Sequence, residues 1–405
     1  MRILHTISQR PDSTGSGIYL QALLKGSAAQ NHHNHLLAGQ PPLPETTLIG
    51  VGSADVTYVG FTNNLSDQQC IIGMSDIMPY TSRKFRDLDQ TALEQYVDML
   101  GRGVERSIEK ARPDLIHSHH LWLLTAYLKD RYPDIPLVVN CHGSDIRQIE
   151  QCPWIYRYLK TQCEQVDRVF ALGEFQKSQI LQFYQIPASK VISVGAGFDE
   201  TIFHTGGRTG DSRQKIHITY GGKISRAKGL PWLLSAFKSL PVEQFHLHLV
   251  GGGNGQEFEQ MINQVKTLEN VTYHGILSQV AFATVLRESA IFILPSLHEG
   301  LPLVLLEALA CGCRVIATDL PGVSEIISRT DESIISTIPL PEVTDTDESL
   351  IDDDHVFIAH IKDSIIACTD QPPLPLTTEE LISETFSWPA VIANIEHEWN
   401  VLVNA

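Results

Sequence analysis

The most informative stretch of the chain is IFILPSLHEGLPLVLLEALACGCRVIAT, residues 291–318. Ile291–Pro295 and Arg314–Thr318 have the short apolar composition of buried strands, and an apolar run that begins beside Pro302 separates them. Proline lacks a backbone N–H but fits the first turn of a helix, so the stretch predicts strand, helix, strand. Short apolar strands alternating with helices are typical of a parallel sheet covered on both faces.

The same alternation runs through nearly the whole chain. We predict strands at Arg2–Ser8, His35–Gly39, Tyr58–Phe61, Leu115–His119, Leu137–His142, Arg168–Leu172, Val191–Val194, His217–Gly221, Phe245–Val250 and Val271–His274, besides the two above. Amphipathic segments such as Ile18–Ala29 and Leu88–Ala111 separate them, and Trp388–Val403 predicts a closing helix. Thr205–Lys215 is rich in glycine and charge and is typical of a linker. With 405 residues, two α/β domains follow.

Composition excludes several classes of protein. A hydrophobic share of 43% and a charged share of 19% are those of a globular chain, not of a disordered or collagen-like one. A net charge of −17 argues against binding to nucleic acid. The seven cysteines form no CxxC pair, which predicts neither a disulfide framework nor a structural zinc site. Without a membrane-length apolar run or a signal-peptide core, we expect a cytoplasmic protein.

Residues 331–363 contain ten acidic residues and the single base Lys362. Repulsion among these charges favours a solvated, irregular segment, and binding to a basic partner is the alternative.

Two carboxylates flank the helix start in the opening stretch. Glu299 falls in the loop and Glu307 within the helix. The free amides and the dipole at a helix start favour an anion such as phosphate. Carboxylates beside an anion site suit the hydroxyls of a sugar or a ribose. Because an unpaired carboxylate in the apolar run LVLLEALA is costly to bury, a function for Glu307 is favoured over a solvated surface position.

A second candidate element is the basic loop at 220–229, YGGKISRAKG, which brings Lys223, Arg226 and Lys228 behind a strand. Its glycines, Gly222 among them, allow a ligand close to the backbone. The cations can neutralise a leaving diphosphate without a metal. Ordinary exposed basic residues are the alternative interpretation.

Weaker candidates lie in the first half. Gly15 and Gly17 follow the first strand and could hold a phosphate, but neither this loop nor 251–255 has the third glycine of a dinucleotide-binding motif. His142 and Asp145 follow a strand, at the end where parallel sheets bind ligands. A structural role for the imidazole is the alternative.

The histidine clusters 32–35 (HHNH) and 117–120 (HSHH) suggest a metal. Neither has the i, i+4 spacing or a neighbouring carboxylate, so we predict no metal site. His119 could line a cleft at a strand end.

Together these residues resemble the retaining glycosyltransferases of family 4, which have the GT-B fold. Glu299 and Glu307 match the family's Glu-x7-Glu signature, and 222–229 resembles its Gly-Arg-x4-Lys-Gly element with Lys223 in place of arginine. The run at 197–199, GFD, resembles its Gly-Val-Asp before the interdomain linker.

The resemblance implies two Rossmann-like domains facing across a cleft. Residues 1–200 would bind the acceptor, residues 201–385 would bind the nucleotide-sugar donor, and a helix in 386–405 would pack back on the first domain. Transfer would retain the anomeric configuration and need no metal and no cofactor.

It also implies roles for the candidate residues. Glu307 would hold the ribose, Glu299 and His142 the donor sugar, and Lys223 and Lys228 the diphosphate. The amides of Gly300 and Leu301 would assist, and Gly15, Gly17 and Gly222 would lie against the donor.

Several questions stay open at this stage. The run HGSDI at 142–146 resembles members that use a UDP-sugar, which favours UDP with a hexose or N-acetylhexosamine. The acceptor and the oligomeric state are unknown. Arg83, Lys84 and Arg86 could contact an anionic acceptor or a membrane surface, and an ordinary solvated basic loop is the alternative. The alternatives are a partner subunit that binds nucleotide-sugar with weak catalysis, an oxidoreductase, and a phosphorylase or epimerase.

Overall fold

A computed structural model describes residues 1–12, 14–39, 48–59, 71–76, 78, 80, 82–209, 215–342, 354–375 and 377–404. The chain divides into two compact units, Met1–Ala196 with Val391–Ala405 (unit 1) and Gly197–Ala390 (unit 2). The sequence predicted the divisions after residues 200 and 385. Each unit is a parallel α/β sheet with helices between its strands, so the predicted fold class is confirmed.

The sheet of unit 1 has seven parallel strands in the order β3-β2-β1-β6-β7-β8-β9, and β4 and β5 form a separate pair. The strands are β1 Arg2–Ile7, β2 His33–Gly39, β3 Val56–Val59, β4 Ile72–Gly73, β5 Arg83–Lys84, β6 Leu115–His119, β7 Leu137–Asn140, β8 Arg168–Ala171 and β9 Val191–Ser193. The helices are α1 Gly15–Ala29, α2 Gln90–Ala111, α3 Leu123–Arg131, α4 Ser144–Gln151, α5 Pro153–Cys163 and α6 Glu174–Phe183.

The sheet of unit 2 has six parallel strands in the order β12-β11-β10-β13-β14-β15. The strands are β10 Ile216–Gly221, β11 Phe245–Val250, β12 Val271–Gly275, β13 Ile291–Leu294, β14 Arg314–Thr318 and β15 Ile335–Ile338. The helices are α7 Leu230–Lys238, α8 Gly255–Val265, α9 Gln279–Arg287, α10 Leu303–Ala310, α11 Pro321–Ser328, α12 Asp354–Thr369 and α13 Thr377–Phe386, followed by α14 Trp388–Val403.

The central strands are buried on both faces, which explains their continuous apolar composition. All four residues of β13 and all five of β6 are buried. In each unit the first strand lies between the second strand and a strand from later in the chain: β1 between β2 and β6, and β10 between β11 and β13. Such switch points leave a crevice at the carboxyl ends of the strands, where open α/β sheets bind ligands.

The strand and helix predictions are confirmed, with ends displaced by a few residues. Gly60 and Phe61, predicted to continue the third strand, lie outside the described residues. The sequence did not predict β4, β5 and β15, and the first two are only two residues long, too short to show a period.

The prediction of a linker at Thr205–Lys215 is wrong, because the described part of this stretch belongs to unit 2. The backbone N–H and the hydroxyl of Thr205 donate to the carboxylate of Glu379, and Arg208 donates to the carbonyls of Ser289 and Cys311. The units divide instead between Ala196 and Gly197.

The prediction of an irregular segment over 331–363 also needs correction. Its described parts contain β15 and the first turns of α12. Ile338, Phe357 and Ile361 are buried in the core of unit 2, so burial of interspersed apolar side chains outweighs charge repulsion there. Residues 343–353 lie outside the described residues.

None of the described helices combines the length and the apolar composition needed to span a bilayer.

Helix α14 is held to unit 1 by one large side chain, one hydrogen bond to an imidazole and one ion pair. The ring of Trp399 is fully buried and meets the imidazoles of His5, His32 and His117 edge to face at 5.5–6.1 Å between centroids. Glu396 accepts from His32 at 2.8 Å, and Glu398 accepts from Arg168 of β8 at 2.7 Å. The last residues of the chain therefore complete the core of unit 1.

We expect Trp399→Ala to lower the free energy of unfolding by about 3–5 kcal/mol, since it leaves a cavity among buried rings. Urea unfolding of the full chain measures the loss. The matched control is Val401→Ala in the same helix, where the side chain is 43% exposed and the expected change is within about 0.5 kcal/mol. Equal losses in the two variants would contradict the packing described here.

Candidate functional site

A cavity of about 440 Å³ lies at the carboxyl ends of the central strands of unit 2. Gly222 after β10, Gly251 after β11 and Glu299 after β13 line it, together with Lys228 and Leu301. β10 lies between β11 and β13, so the order of the strands reverses direction at this point of the sheet. Open parallel sheets form a crevice at such a point, which explains the position of the cavity.

Two glycines bring the loops after β10 and β11 into contact. A Cβ atom at Gly251 would lie 1.8 Å from the carbonyl oxygen of Gly222, and Gly251 has a φ of 138° that side-chain-bearing residues avoid. The N–H of Gly222 donates to Val250 and that of Gly251 to Gly275. In the sequence Gly251 is part of a weak glycine-rich motif, and its position in the cavity depends on strand order.

Lys228 and Glu299, predicted to share a site, form an ion pair. Their Nζ and Oε1 atoms are 2.7 Å apart, and both side chains are partly buried. The ammonium also donates to the carbonyl of His298 at 3.2 Å, and the hydroxyl of Ser296 donates to Glu299 at 2.7 Å. Ser296 was not predicted, because a serine after a strand carries no signal of its own.

The start of α10 presents unpaired backbone donors. Pro302 is the N-cap residue, and its carbonyl accepts from the N–H of Leu305. The N–H groups of Gly300 and Leu301 meet no acceptor within the parts of the chain that the structure describes. A side chain placed on Gly300 would meet nothing within 4 Å, so the loop borders open space. Free donors at a helix start attract anions.

Glu307 lies in the second half of α10, among buried leucines. Burial raises the pKa of its carboxyl group to about 7. Among the described residues no side chain or backbone group donates a hydrogen bond to it, and no cation pairs with it. The sequence predicted that this carboxylate would be costly without a partner, and the protein itself supplies none.

The other two cations of the basic loop do not join this ion pair. The Arg226 guanidinium lies over the ring of Trp232, 4.4 Å from its centroid. The side chain of Lys223 is exposed, and its backbone carbonyl accepts from the hydroxyl of Tyr220. Lys223 therefore follows the cavity-lining Gly222 directly but reaches into solvent.

In unit 1, Gly15 and Gly17 lie in the first turn of α1. The N–H of Gly17 donates to the capping hydroxyl of Thr14 at 3.1 Å. A Cβ atom at Gly17 would lie 2.8 Å from the carbonyl of Pro11, so this glycine is required by packing alone, whereas a Cβ at Gly15 would meet nothing. Ser13 of the same loop lies outside the described residues.

His142 follows β7 and pairs with His119 at the end of β6. Its Nε2 atom is 3.0 Å from His119 Nδ1, and the two rings stack with centroids 5.2 Å apart. Burial holds the pKa of both imidazoles well below the usual value, so both are neutral at pH 7. Asp145 accepts from the backbone N–H groups of His142 and Leu121, which is a structural role.

The basic cluster of unit 1 is partly neutralised. Arg83 and Lys84 form β5, and Arg86 pairs with Asp76 at 2.9 Å.

The raised pKa of Glu307 has a consequence for stability. The folded protein holds this proton more tightly than the unfolded chain, so the wild type loses stability as pH rises from about 4.5 to about 7. We expect Glu307→Gln, which cannot titrate, to gain stability relative to the wild type over that range, with a constant difference above it. Urea unfolding from about pH 5 to about pH 8 measures this.

Glu259→Gln in α8 is the matched control, because Glu259 is exposed, and it should follow the wild type at every pH. Parallel curves for Glu307→Gln and the wild type would show that Glu307 is not buried as described.

Comparisons with known proteins cover both units. A family model described as Glycosyltransferase Family 4 matches residues 13–201, and one described as Glycosyl transferases group 1 matches residues 215–347. The D-inositol 3-phosphate glycosyltransferase of Arthrobacter sp. (strain FB24) is 26% identical over 60% of this chain and 63% of its own length. The N-acetyl-alpha-D-glucosaminyl L-malate synthase of Bacillus anthracis is 27% identical over 56% and 61%. The matches thus span about 60% of these curated relatives.

Two solved structures show the same fold. Sucrose-phosphate synthase from Thermosynechococcus elongatus aligns with a TM-score of 0.73 at 17% identity, over 99% of both chains. Anabaena Alr3699/HepE in complex with UDP aligns with a TM-score of 0.69 at 15% identity, over 99% of this chain and all of the other. With one family model on each Rossmann-like unit and GT-B structures as neighbours, the chain belongs to the family 4 glycosyltransferases.

Proposed function

We propose that this protein transfers a hexose or an N-acetylhexosamine from a UDP-sugar to an acceptor. The transfer retains the anomeric configuration and needs no metal ion. The observation that carries the proposal is the cavity of unit 2, which is lined by the Lys228–Glu299 ion pair and by Leu301, whose backbone N–H meets no acceptor among the described residues. Glu307 does not line the cavity but lies further along α10, the helix whose first residues do.

The donor's diphosphate suits the start of α10. Lys228 supplies a positive charge, the N–H groups of Gly300 and Leu301 supply donors, and the helix dipole adds to both. Lys223 is the second cation of this loop. Its exposed side chain follows the cavity-lining Gly222 and would contact the diphosphate from the solvent side. Fixed charges and donors of this kind stabilise a departing diphosphate, which is the work that a metal does elsewhere.

The two carboxylates suit hydroxyl groups. Glu307 has an unsatisfied carboxyl group, and ribose hydroxyls would supply the donors that the protein does not. Glu299 is held in one orientation by Ser296 and Lys228, so it can accept from a hydroxyl of the donor sugar. A cavity of about 440 Å³ is within the usual range for sites of small molecules.

We propose that His142 serves the transferred sugar as a neutral hydrogen-bonding group. Its low pKa removes the imidazolium form at neutral pH, and the stack with His119 fixes the plane of its ring. His119 is therefore a positioning residue. Gly15 and Gly17 would leave the start of α1 open to the donor, and the acceptor would bind to the same unit.

The named relatives and structures support this choice of substrate class. Two relatives are named as an inositol phosphate glycosyltransferase and a glucosaminyl malate synthase, and a structural neighbour is in complex with UDP. The alternative, a partner subunit that binds nucleotide-sugar with little catalysis, is less well supported, because the lysine, both glutamates and the histidine are all present.

Incubation with UDP-, GDP- and ADP-sugars without an acceptor tests the proposal. We expect slow release of free nucleotide from the UDP-sugar, because water can replace the acceptor, and about 10²- to 10³-fold slower release from Lys228→Ala. Lys266→Ala removes an exposed lysine of unit 2 and should act like the wild type.

Equal rates for Lys228→Ala and the wild type would remove Lys228 from the reaction. Nucleotide binding without any release, in the wild type, would favour the partner subunit instead.

A further inference from the structure

We propose that His33, His35 and Asp55 of unit 1 form a binding site for a divalent transition metal ion of the zinc type. One ligand atom from each side chain, a ring nitrogen or a carboxylate oxygen, can be chosen so that all three lie within 4.8 Å of one another. The site is independent of the proposed transfer reaction.

Strand geometry brings the two imidazoles together. His33 and His35 are two residues apart in β2, so their side chains leave the same face of the sheet, and their ring centroids are 4.8 Å apart. Two histidines at positions i and i+2 of a strand can therefore bind the same ion, as two histidines at positions i and i+4 of a helix can. The sequence prediction of no metal site rested on the helical spacing and on the lack of a neighbouring carboxylate.

Sheet pairing supplies that carboxylate. Asp55 ends the short helical turn Ser53–Asp55, which leads directly into β3. In the parallel pairing of β2 and β3, Val56 lies opposite Leu36. The residues that precede them, Asp55 and His35, are therefore next to each other. Twenty residues of chain separate the two side chains, so no local pattern reveals the contact.

The distances leave room for an ion between the side chains. His33 Nε2 lies 3.6 Å from Asp55 Oδ2, and His35 Nδ1 lies 3.6 Å from the other oxygen, Asp55 Oδ1. Both gaps exceed a normal hydrogen bond. Ligand atoms around a tetrahedral Zn²⁺ are roughly 3.3 Å apart, so a set that now lies within 4.8 Å must draw together by up to about 1.5 Å when the ion binds.

Solvent can supply the fourth ligand, because the side chain of His33 is 62% exposed and that of Asp55 25%. Two cations lie near His35: Arg2 is paired with Asp114 at 2.6 Å, and Lys110, which donates to the carbonyl of Ala54, keeps its positive charge. Two imidazoles with one carboxylate favour Zn²⁺, whereas Ca²⁺ and Mg²⁺ require oxygen ligands.

The position in the sheet indicates what the ion would do. His33 begins β2, whereas His142 follows the carboxyl end of β7, and in a parallel sheet these are opposite edges. A metal here would not meet the imidazole proposed to serve the sugar. It would tie the turn before β3 to β2 at the border of the sheet, where β3 has a single neighbour.

Calorimetric titration of the chelator-treated full chain with Zn²⁺ tests the proposal, with visible absorption of Co²⁺ as the second measurement. We expect one saturable site in the wild type, at least about tenfold weaker binding in His33→Ala and in Asp55→Asn, and no binding of Ca²⁺ there. His397→Ala, which removes an exposed histidine of α14, should bind like the wild type.

Because His33 is exposed, its loss leaves the core intact, and circular dichroism verifies that each variant folds. Zinc bound equally well by His33→Ala and the wild type would place the ion elsewhere and overturn the proposal. The proposal would also be overturned if the wild type bound no zinc, or if His397→Ala lowered the affinity for zinc tenfold as well.

Discussion

The ion pair between Lys228 and Glu299 joins two loops across 71 positions of sequence, and the candidate site depends on it. The pair exists because β10 and β13 are neighbours in the sheet, so the loops that follow their carboxyl ends meet. Strand order therefore determines which side chains can combine. The same adjacency brings the start of α10 to the cavity, and Glu307 lies about one turn further along that helix.

Two features near the cavity lower the stability of unit 2. A carboxyl group among buried leucines, with no donor in the described parts of the chain, disfavours the folded state, and the same desolvation raises the pKa of Glu307. Gly251, with a conformation that few residues adopt and a carbonyl oxygen against its Cα, is a second constraint beside the same cavity. Both features lower the stability of the folded protein, and both lie near one cavity. A ligand that binds there explains them more readily than packing does.

The sequence allowed the α/β class, most strands and helix α14 to be predicted, because buried parallel strands and amphipathic helices have strong periods. It also paired Lys228 with Glu299 in one site, through the resemblance to a family motif. Contacts made across the sheet could not be predicted. Ser296 beside Glu299, His119 beside His142 and Asp55 beside the imidazoles of β2 all depend on strand order or register. The wrong linker prediction has the same origin, since the bond from Thr205 to Glu379 spans more than a hundred residues.

The central claim is that the cavity of unit 2 binds a pyrophosphate through Lys228. Calorimetric titration of the wild type and Lys228→Ala with UDP and with uridine tests it most directly, because the two ligands differ only in the diphosphate. We expect UDP to bind the wild type much more tightly than uridine does, and we expect Lys228→Ala to lose most of this difference while its affinity for uridine is unchanged. An undiminished preference for UDP in Lys228→Ala, or an equal loss of affinity for both ligands, would contradict it.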